Sequence, residues 1–383
     1  MSVALGADAP VGGGIQLQWI SGSTKKLQQL LGDYDKQLKQ PTITQTFTRF
    51  GVRGADLGSP FGKKNRTIFL FGDTIGSHPG DAMGFTQTDD PDNGVELKFY
   101  TSGKGDYLAF KPDGRVLGGF ELPLAGITIG DESFVSYKDQ HTEGKSTDVS
   151  HLARWDGDEK IVTLRKISAL PEGKFIKMAL HVCPPDTPLL PEGGPWILMW
   201  GAGKYRESDV YFAMTPAASF ASGAGTLYFA SLSDAQPRFV ARETNARAVA
   251  ENGTVGDVSV TYVRELKQWI MLYDSRTPRG VVFRHAAVPW GPFSEEQTIF
   301  SAKDGLGAFI HDPARQPADG LAGPVIGAEN KENPEVVRGG AYAPYAVQRW
   351  TKLNGNTLTI YFLLSTWNPY TVVLMRSDFS VER

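Results

Sequence analysis

The chain has 383 residues, 41% of them hydrophobic, with a formal net charge of -3 and a pI near 6.1. That is enough apolar material for a large core, and it lacks the concentrated positive field of a sequence-independent nucleic-acid binder. A single cysteine, Cys183, excludes an intrachain disulfide and a cysteine-ligated zinc site, and no run of about 18 apolar residues offers a membrane span.

In chain order, Met1 to Gly14 shows no basic region followed by an apolar run, so no secretory signal is visible. Ser23 to Lys39 places Leu27, Leu30, Leu31, Tyr34 and Leu38 at helical spacing, and Pro41 closes the stretch. The expectation is one helix in an N-terminal extension over residues 1–41, packed on the outside of a main domain over 42–383, with a partner-binding helix as the alternative. From Thr42 onward the pattern changes to short β runs separated by turns. Examples are Thr67 to Gly72, Ile127 to Lys138, Trp196 to Trp200, Asp209 to Met214, Val258 to Val263, Trp269 to Tyr273, Thr357 to Ser365 and Thr371 to Arg376. Such groups recur about five times with similar internal order, which predicts an all-β, five-bladed β-propeller rather than its rival, a two-sheet sandwich. Ala302 to Arg338 carries little β signal and reads as a long loop bordering a cleft.

Two acidic motifs stand out within this pattern. Gly54-Ala55-Asp56-Leu57-Gly58 and Phe69-Leu70-Phe71-Gly72-Asp73-Thr74 each set an aspartate beside glycine at the end of an extended run. Hydrolysis of a glycosidic bond needs one protonated carboxyl and one ionised carboxylate, and a hairpin between the two motifs would turn both toward one cavity. The bland alternative is that each aspartate caps a turn. Arg53 and Arg206 lie beside acidic motifs, where a guanidinium can pair with carboxylates or bind sugar hydroxyls. Tyr205, Tyr342, Tyr345, Trp367 and Tyr370 sit in or beside Gly- and Pro-bearing turns, where flat apolar faces with polar edges suit a sugar; Trp200, Trp269 and Phe362, inside strands, read as core.

Other chemistries find no support. Gly201-Ala202-Gly203-Lys204 lacks the full phosphate-loop spacing, no HExxH joins the six histidines, and no serine sits in a GxSxG elbow. Asp89-Asp90-Pro91-Asp92-Asn93-Gly94 misses the register of a calcium loop and reads as a solvated acidic turn. No cofactor or metal is therefore expected, while a structural ion and the oligomeric state stay open.

The two aspartate motifs, continued through Ser59-Pro60-Phe61 in the first, resemble the opening signature of a bacterial and phage family once catalogued as a domain of unknown function and now grouped with endo-D-arabinanases. Four later stretches are also similar to that family: Gly201 to Tyr211, Val255 to Val260, Pro289 to Phe293, and Ser365 to Tyr370. The resemblance runs from about Arg53 to Arg376. It implies a propeller glycosidase cutting internal α-D-arabinofuranosyl linkages in the arabinan of mycobacterial-type arabinogalactan and lipoarabinomannan, outside the cell or at the envelope. Asp56 and Asp73 are then the essential pair. Asp257, where the family often has glutamate, becomes a third acidic candidate that tunes the pair, and Asp209 and Asn368 join the substrate-binding candidates. The other readings are a non-catalytic carbohydrate-binding propeller and a glycosidase of a different furanoside or a sialoside; no repeated sialidase-type Asp box is present.

Overall fold

A computed structural model describes residues 14–103, 105–142, 145–156, 160–233, 235–301, 308–315, 318–326 and 333–383. Five antiparallel sheets form the blades of a β-propeller. The innermost strands, in chain order, are Val52–Lys63, Leu122–Ile129, Lys177–Val182, Val255–Val263 and Gly340–Ala346, and each packs against the next around one axis, the last against the first.

The β runs are apolar on both faces because each blade is covered on both sides. In Trp196–Ala202 of the third blade, Leu198, Trp200 and Ala202 face the fourth blade while Ile197 and Met199 face the second. In Thr357–Trp367 of the fifth blade, Ile360, Phe362 and Leu364 face the fourth, and Tyr361 and Leu363 face the first. Side chains alternate between the faces of a strand, so two buried faces erase the polar half of the pattern. Five apolar cores result, one between each pair of neighbouring blades. A sixth small cluster, Leu57, Leu122, Leu124, Ala343 and Tyr345, fills the axis where three innermost strands meet. Trp200, Trp269 and Phe362 are all buried.

The expectation of a helix over Ser23 to Lys39 is corrected. This stretch forms the strands Lys25–Gln29 and Tyr34–Asp35, and the one α-helix among the described residues is the short Thr46–Phe50. Lys25–Gln29 pairs with Thr371–Glu382, and the Leu30 amide continues that contact by donating to the Val372 carbonyl. Leu30 and Leu31 are fully buried between the fifth and first blades, whereas Tyr34 and Leu38 of the supposed stripe are exposed. An open sheet edge beside an apolar core outweighed local helical spacing. Likewise Ile127 to Lys138 is not one run but two strands, Leu122–Ile129 and Glu132–Thr142, joined at Gly130-Asp131.

The ring closes through the opposite chain ends. Gln16–Trp19 is the outer strand of the fifth blade, paired antiparallel with Phe379 to Glu382 of the last strand. Leu17 is buried there among side chains of the fourth and fifth blades. Leu17→Ala is expected to lower unfolding free energy by about 2–4 kcal/mol in urea denaturation. The same change at the more exposed Ile20 should cost under about 0.5 kcal/mol. Equal small losses would show that this closure contributes little.

Candidate active site

At one end of the axis lies a cavity of about 650 Å³. Asp56 and Asp73 both open into it from the first blade. Val52–Lys63 and Arg66–Gly76 form the expected antiparallel hairpin, with Asp56 opposite Gly72 and Asp73 the next residue along. A side chain at Gly72 would put its Cβ 2.7 Å from Asp56 Oδ1, so glycine leaves room for the carboxyl. The inner strand is bulged on both sides of the aspartate, and Leu57, Gly58 and Asp73 all have positive φ. Bulges and left-handed residues of this kind re-aim side chains at a cost that surrounding packing has to offset.

Asp56 is nearly enclosed. Its Oδ2 accepts a hydrogen bond from the Tyr342 hydroxyl at 3.0 Å, and its Oδ1 is buried with no hydrogen-bond partner. Burial first, and then the charge of Asp73, raise the Asp56 pKa to about 7, against the pull of Tyr342; the charge of Asp257 adds to the rise. Asp73 is also raised by burial, but three influences hold it down: the Phe120 amide, which donates to Oδ1 at 3.0 Å, and the charges of Lys138 and Lys177. Burial and the Asp56 charge keep the Tyr342 and Tyr370 phenols neutral, and Tyr342 is the one that donates to Asp56.

Asp257 reaches the same cavity from the fourth blade, but with different partners. Its Oδ1 accepts from Lys177 Nζ at 2.7 Å and from the Tyr345 hydroxyl at 3.4 Å. Behind it, Asp274 accepts from the Asp257 amide at 2.7 Å, the Ala343 amide at 3.3 Å and Arg206 Nε at 3.0 Å. Gly256 lets this clamp close, since a Cβ there would lie 2.3 Å from Asp274 Oδ2. Lys177 and Arg206 both stand over the Tyr205 ring, at 3.9 and 4.8 Å from its centroid.

The cavity thus gathers Asp56, Asp73, Asp257, Tyr205, Arg206, Tyr342 and Trp367. Arg53 and Tyr370 line a neighbouring cavity of about 1190 Å³, which shares Asp73 and Ile326 with the first. Tyr345 is buried beneath Asp257. Asn368, fully buried with positive φ, accepts from the Gly323 amide and donates to the carbonyls of Pro334 and Val337. It therefore ties down the loop from 302 to 338, whose residues 302–307, 316–317 and 327–332 lie outside the described ones. Ile326 and Arg338 of that loop do border the cavity. Asp209 lines neither cavity; its Oδ1 accepts from the amides of Asn252 and Gly253, which is turn chemistry.

Four residues that matter here escaped the sequence reading: Lys138, Lys177, Asp274 and Asp81. Asp81 is buried behind Asp73, accepts from the Thr74 amide at 3.3 Å, and is raised well above the usual carboxylate range by burial and by the charge of Asp73. A signal for Asp274 was present. Asp257 and Asp274 are 17 positions apart, on the first two strands of their blade, as Asp56 and Asp73 are on theirs. Among the described residues no cluster of three or more His, Cys, Asp or Glu is placed to hold a metal ion.

The molecule is a five-bladed propeller with a carboxyl pair, buried Asp56 and half-buried Asp73, at the axial end of its first blade. The chain belongs to the family described as Domain of unknown function (DUF4185), whose model matches residues 42–376. No curated protein matches it in sequence. Solved structures of similar shape include the GH43_1 enzyme from Xanthomonas citri, at 9% identity and TM-score 0.45, covering 87% of this chain and 93% of that one. Another is the α-L-arabinofuranosidase PaAbf62A from Podospora anserina in complex with cellotriose, at 11% identity and TM-score 0.45, with coverage of 96% and 98%. The catalytic domain of the Coprinopsis cinerea GH62 α-L-arabinofuranosidase is similar at 11% identity and TM-score 0.46, covering 95% and 97%.

The raised pKa of Asp56 links to stability with a definite sign. Between pH about 4 and about 7 the folded state keeps a proton that the unfolded chain has lost, so stability falls as pH rises through that window. Asp56→Asn removes the penalty. The variant is expected to be more stable than wild type at pH 8, by an amount on the order of 1–3 kcal/mol, with the difference shrinking toward pH 4. Denaturation at both pH values checks this, and a variant less stable than wild type at pH 8 would contradict it.

Proposed function

We propose that the protein is an endo-acting glycoside hydrolase that cleaves internal α-D-arabinofuranosyl linkages in the D-arabinan of mycobacterial-type arabinogalactan or lipoarabinomannan, at the cell envelope or outside the cell. The observation that carries the hydrolase reading is the pair of neighbouring carboxyls, buried Asp56 and half-buried Asp73, facing one cavity, with Asp56 raised to about 7. The choice of D-arabinan rests on the family resemblance of the motifs. Those motifs supply the cavity's Asp56, Asp73, Tyr205, Arg206, Asp257 and Trp367. Pro289 to Phe293 has a different part, since the Trp200 indole donates to the Pro289 carbonyl and Trp290 is buried.

In this mechanism Asp56 is the acid. Its proton is retained near neutrality because the charged form is desolvated beside a second carboxylate, and it passes to the glycosidic oxygen as the bond to the anomeric carbon breaks. Asp73 is the ionised partner, its charge supported by the Phe120 amide and by Lys138 and Lys177. It either activates water or attacks the anomeric carbon, and the anomeric form of the first product distinguishes the two. Trp367, which lines the cavity, offers an aromatic surface for a sugar ring, while Tyr205 holds Lys177 and Arg206 over its own ring. Two cavities meeting at Asp73 favour internal cleavage, because a polymer has room on both sides of the reacting bond.

Wild type is expected to release soluble oligosaccharides from mycobacterial arabinogalactan, and Asp56→Asn and Asp73→Asn should each lower kcat/KM by about 10²–10⁴. No release by wild type, or full activity in both variants, would refute the mechanism. Binding without release would instead favour a carbohydrate-binding propeller. The pH profile of kcat/KM should be bell-shaped, falling above about pH 7 as Asp56 loses its proton, and on the acid side as Asp73 gains one. A rate that keeps rising beyond pH 8 would exclude Asp56 as the acid.

A further inference from the structure

The charge around the central cavity does not balance. Its lining carries the cations Lys138, Lys177, Arg206, Arg276, Arg279 and Arg338 against the acids Asp56, Asp73 and Asp257, although the chain as a whole is net negative. Half of the cations have partners: Lys177 pairs with Asp257 at 2.7 Å, Arg206 with Asp274 at 3.0 Å and Lys138 with Asp148 at 3.4 Å. Arg276 and Arg279 form no ion pair among the described residues, and Arg338, largely exposed, only approaches Asp312 at 3.9 Å. The excess is therefore confined to one rim, built from the hairpin of the fourth blade and the strand entry of the fifth.

The arrangement is unfavourable for folding taken alone. Arg276 and Arg279 end the strands Gln268–Arg276 and Arg279–Ala286 and face one another directly across the ladder. Like charges directly opposite destabilise a pair of strands. Both arginines are exposed at the cavity rim, and Gly340 stands beside them, its Cβ position in ordinary contact at 3.9 Å from Arg279 Nη2. An anion between these groups would relieve the repulsion and take charge-assisted hydrogen bonds from planar guanidinium forks, which suit carboxylate and phosphate oxygens.

We infer that the rim of Arg276, Arg279 and Arg338 is a subsite for an anionic substituent, a carboxylate or a phosphate, carried by the saccharide chain. This rests on the saccharide reading of the cavity and narrows it: the preferred substrate carries negative charge within reach of the cleaved bond. The subsite is separate from the acid chemistry, because the partnered cations lie beside the aspartates while these three arginines stand outside them.

The test uses the Asp56→Asn protein, so that ligands survive, and arabinofuranosyl oligosaccharides of equal length in underivatised, carboxymethylated and phosphorylated forms. Calorimetry at about 0.05 M NaCl is expected to give at least tenfold tighter binding for one or both anionic forms than for the neutral one, and the better form identifies the group. That ratio should fall toward one in about 0.5 M NaCl, where screening is strong, and in the added double variant Arg276→Gln/Arg279→Gln. Equal affinity for all three ligands, including no binding at all, would overturn the inference, as would a ratio that survives the double substitution. Release of sugar from neutral arabinan by wild type is read in parallel. Release without any charge preference strikes only this inference, and preference without release strikes only the hydrolase reading.

Discussion

Two carboxyl groups withdrawn from water next to one another cannot both hold a charge cheaply, and the site depends on this constraint. Asp56 is enclosed, donated to by a single phenol and left with one oxygen unpartnered, while Asp73 keeps an amide and the field of two lysines. The asymmetry assigns the proton. Holding it requires a backbone that does not relax, since a small outward movement of either aspartate would admit water and return both groups to ordinary behaviour. The bulged inner strand, the positive φ at Leu57 and Asp73, and Gly72 beneath Asp56 set the geometry. Five interblade cores and a ring closed by opposite chain ends keep it fixed.

The first and fourth blades carry the same device put to different ends. Each has an aspartate on its inner strand and a second 17 positions later on the next strand. In the fourth blade both are occupied: Asp257 by Lys177, Asp274 by Arg206 and two backbone amides. In the first blade no cation among the described residues forms an ion pair with either member. One pair builds the wall of the cavity, and the other is the pair to which the proposed hydrolysis assigns the acid and its partner. The clamp also acts on the first-blade pair, because the Lys177 that pairs with Asp257 lowers the pKa of Asp73, while the charge of Asp257 raises that of Asp56.

Much of this was legible in the chain. Strand runs and turn residues led to a five-bladed all-β propeller because blades are local units whose hairpins are written in contiguous sequence. Asp56 and Asp73 were legible for the same reason, lying on one hairpin. What escaped was non-local. Leu30 and Leu31 have helical spacing, and only the distant strand Thr371–Glu382 decides that their neighbours extend as β structure. Lys177 and Lys138 look like ordinary strand lysines until the ring brings the second and third blades to the axis. Asp209 and Asn368 sit in motifs that resemble the family's, yet one anchors a turn and the other ties down a loop. A shared motif preserves a structural residue as readily as a reacting one.

The most direct test of the central claim is to titrate the Asp56 carboxyl itself, by carbon NMR of aspartate-labelled protein, in wild type and in Asp73→Asn. Asp56 is predicted to titrate near pH 7 in wild type and to shift downward when the neighbouring charge is removed, while staying above the ordinary carboxylate value because burial remains. A wild-type Asp56 that titrates near 4, or one whose titration does not respond to Asp73→Asn, would contradict the account.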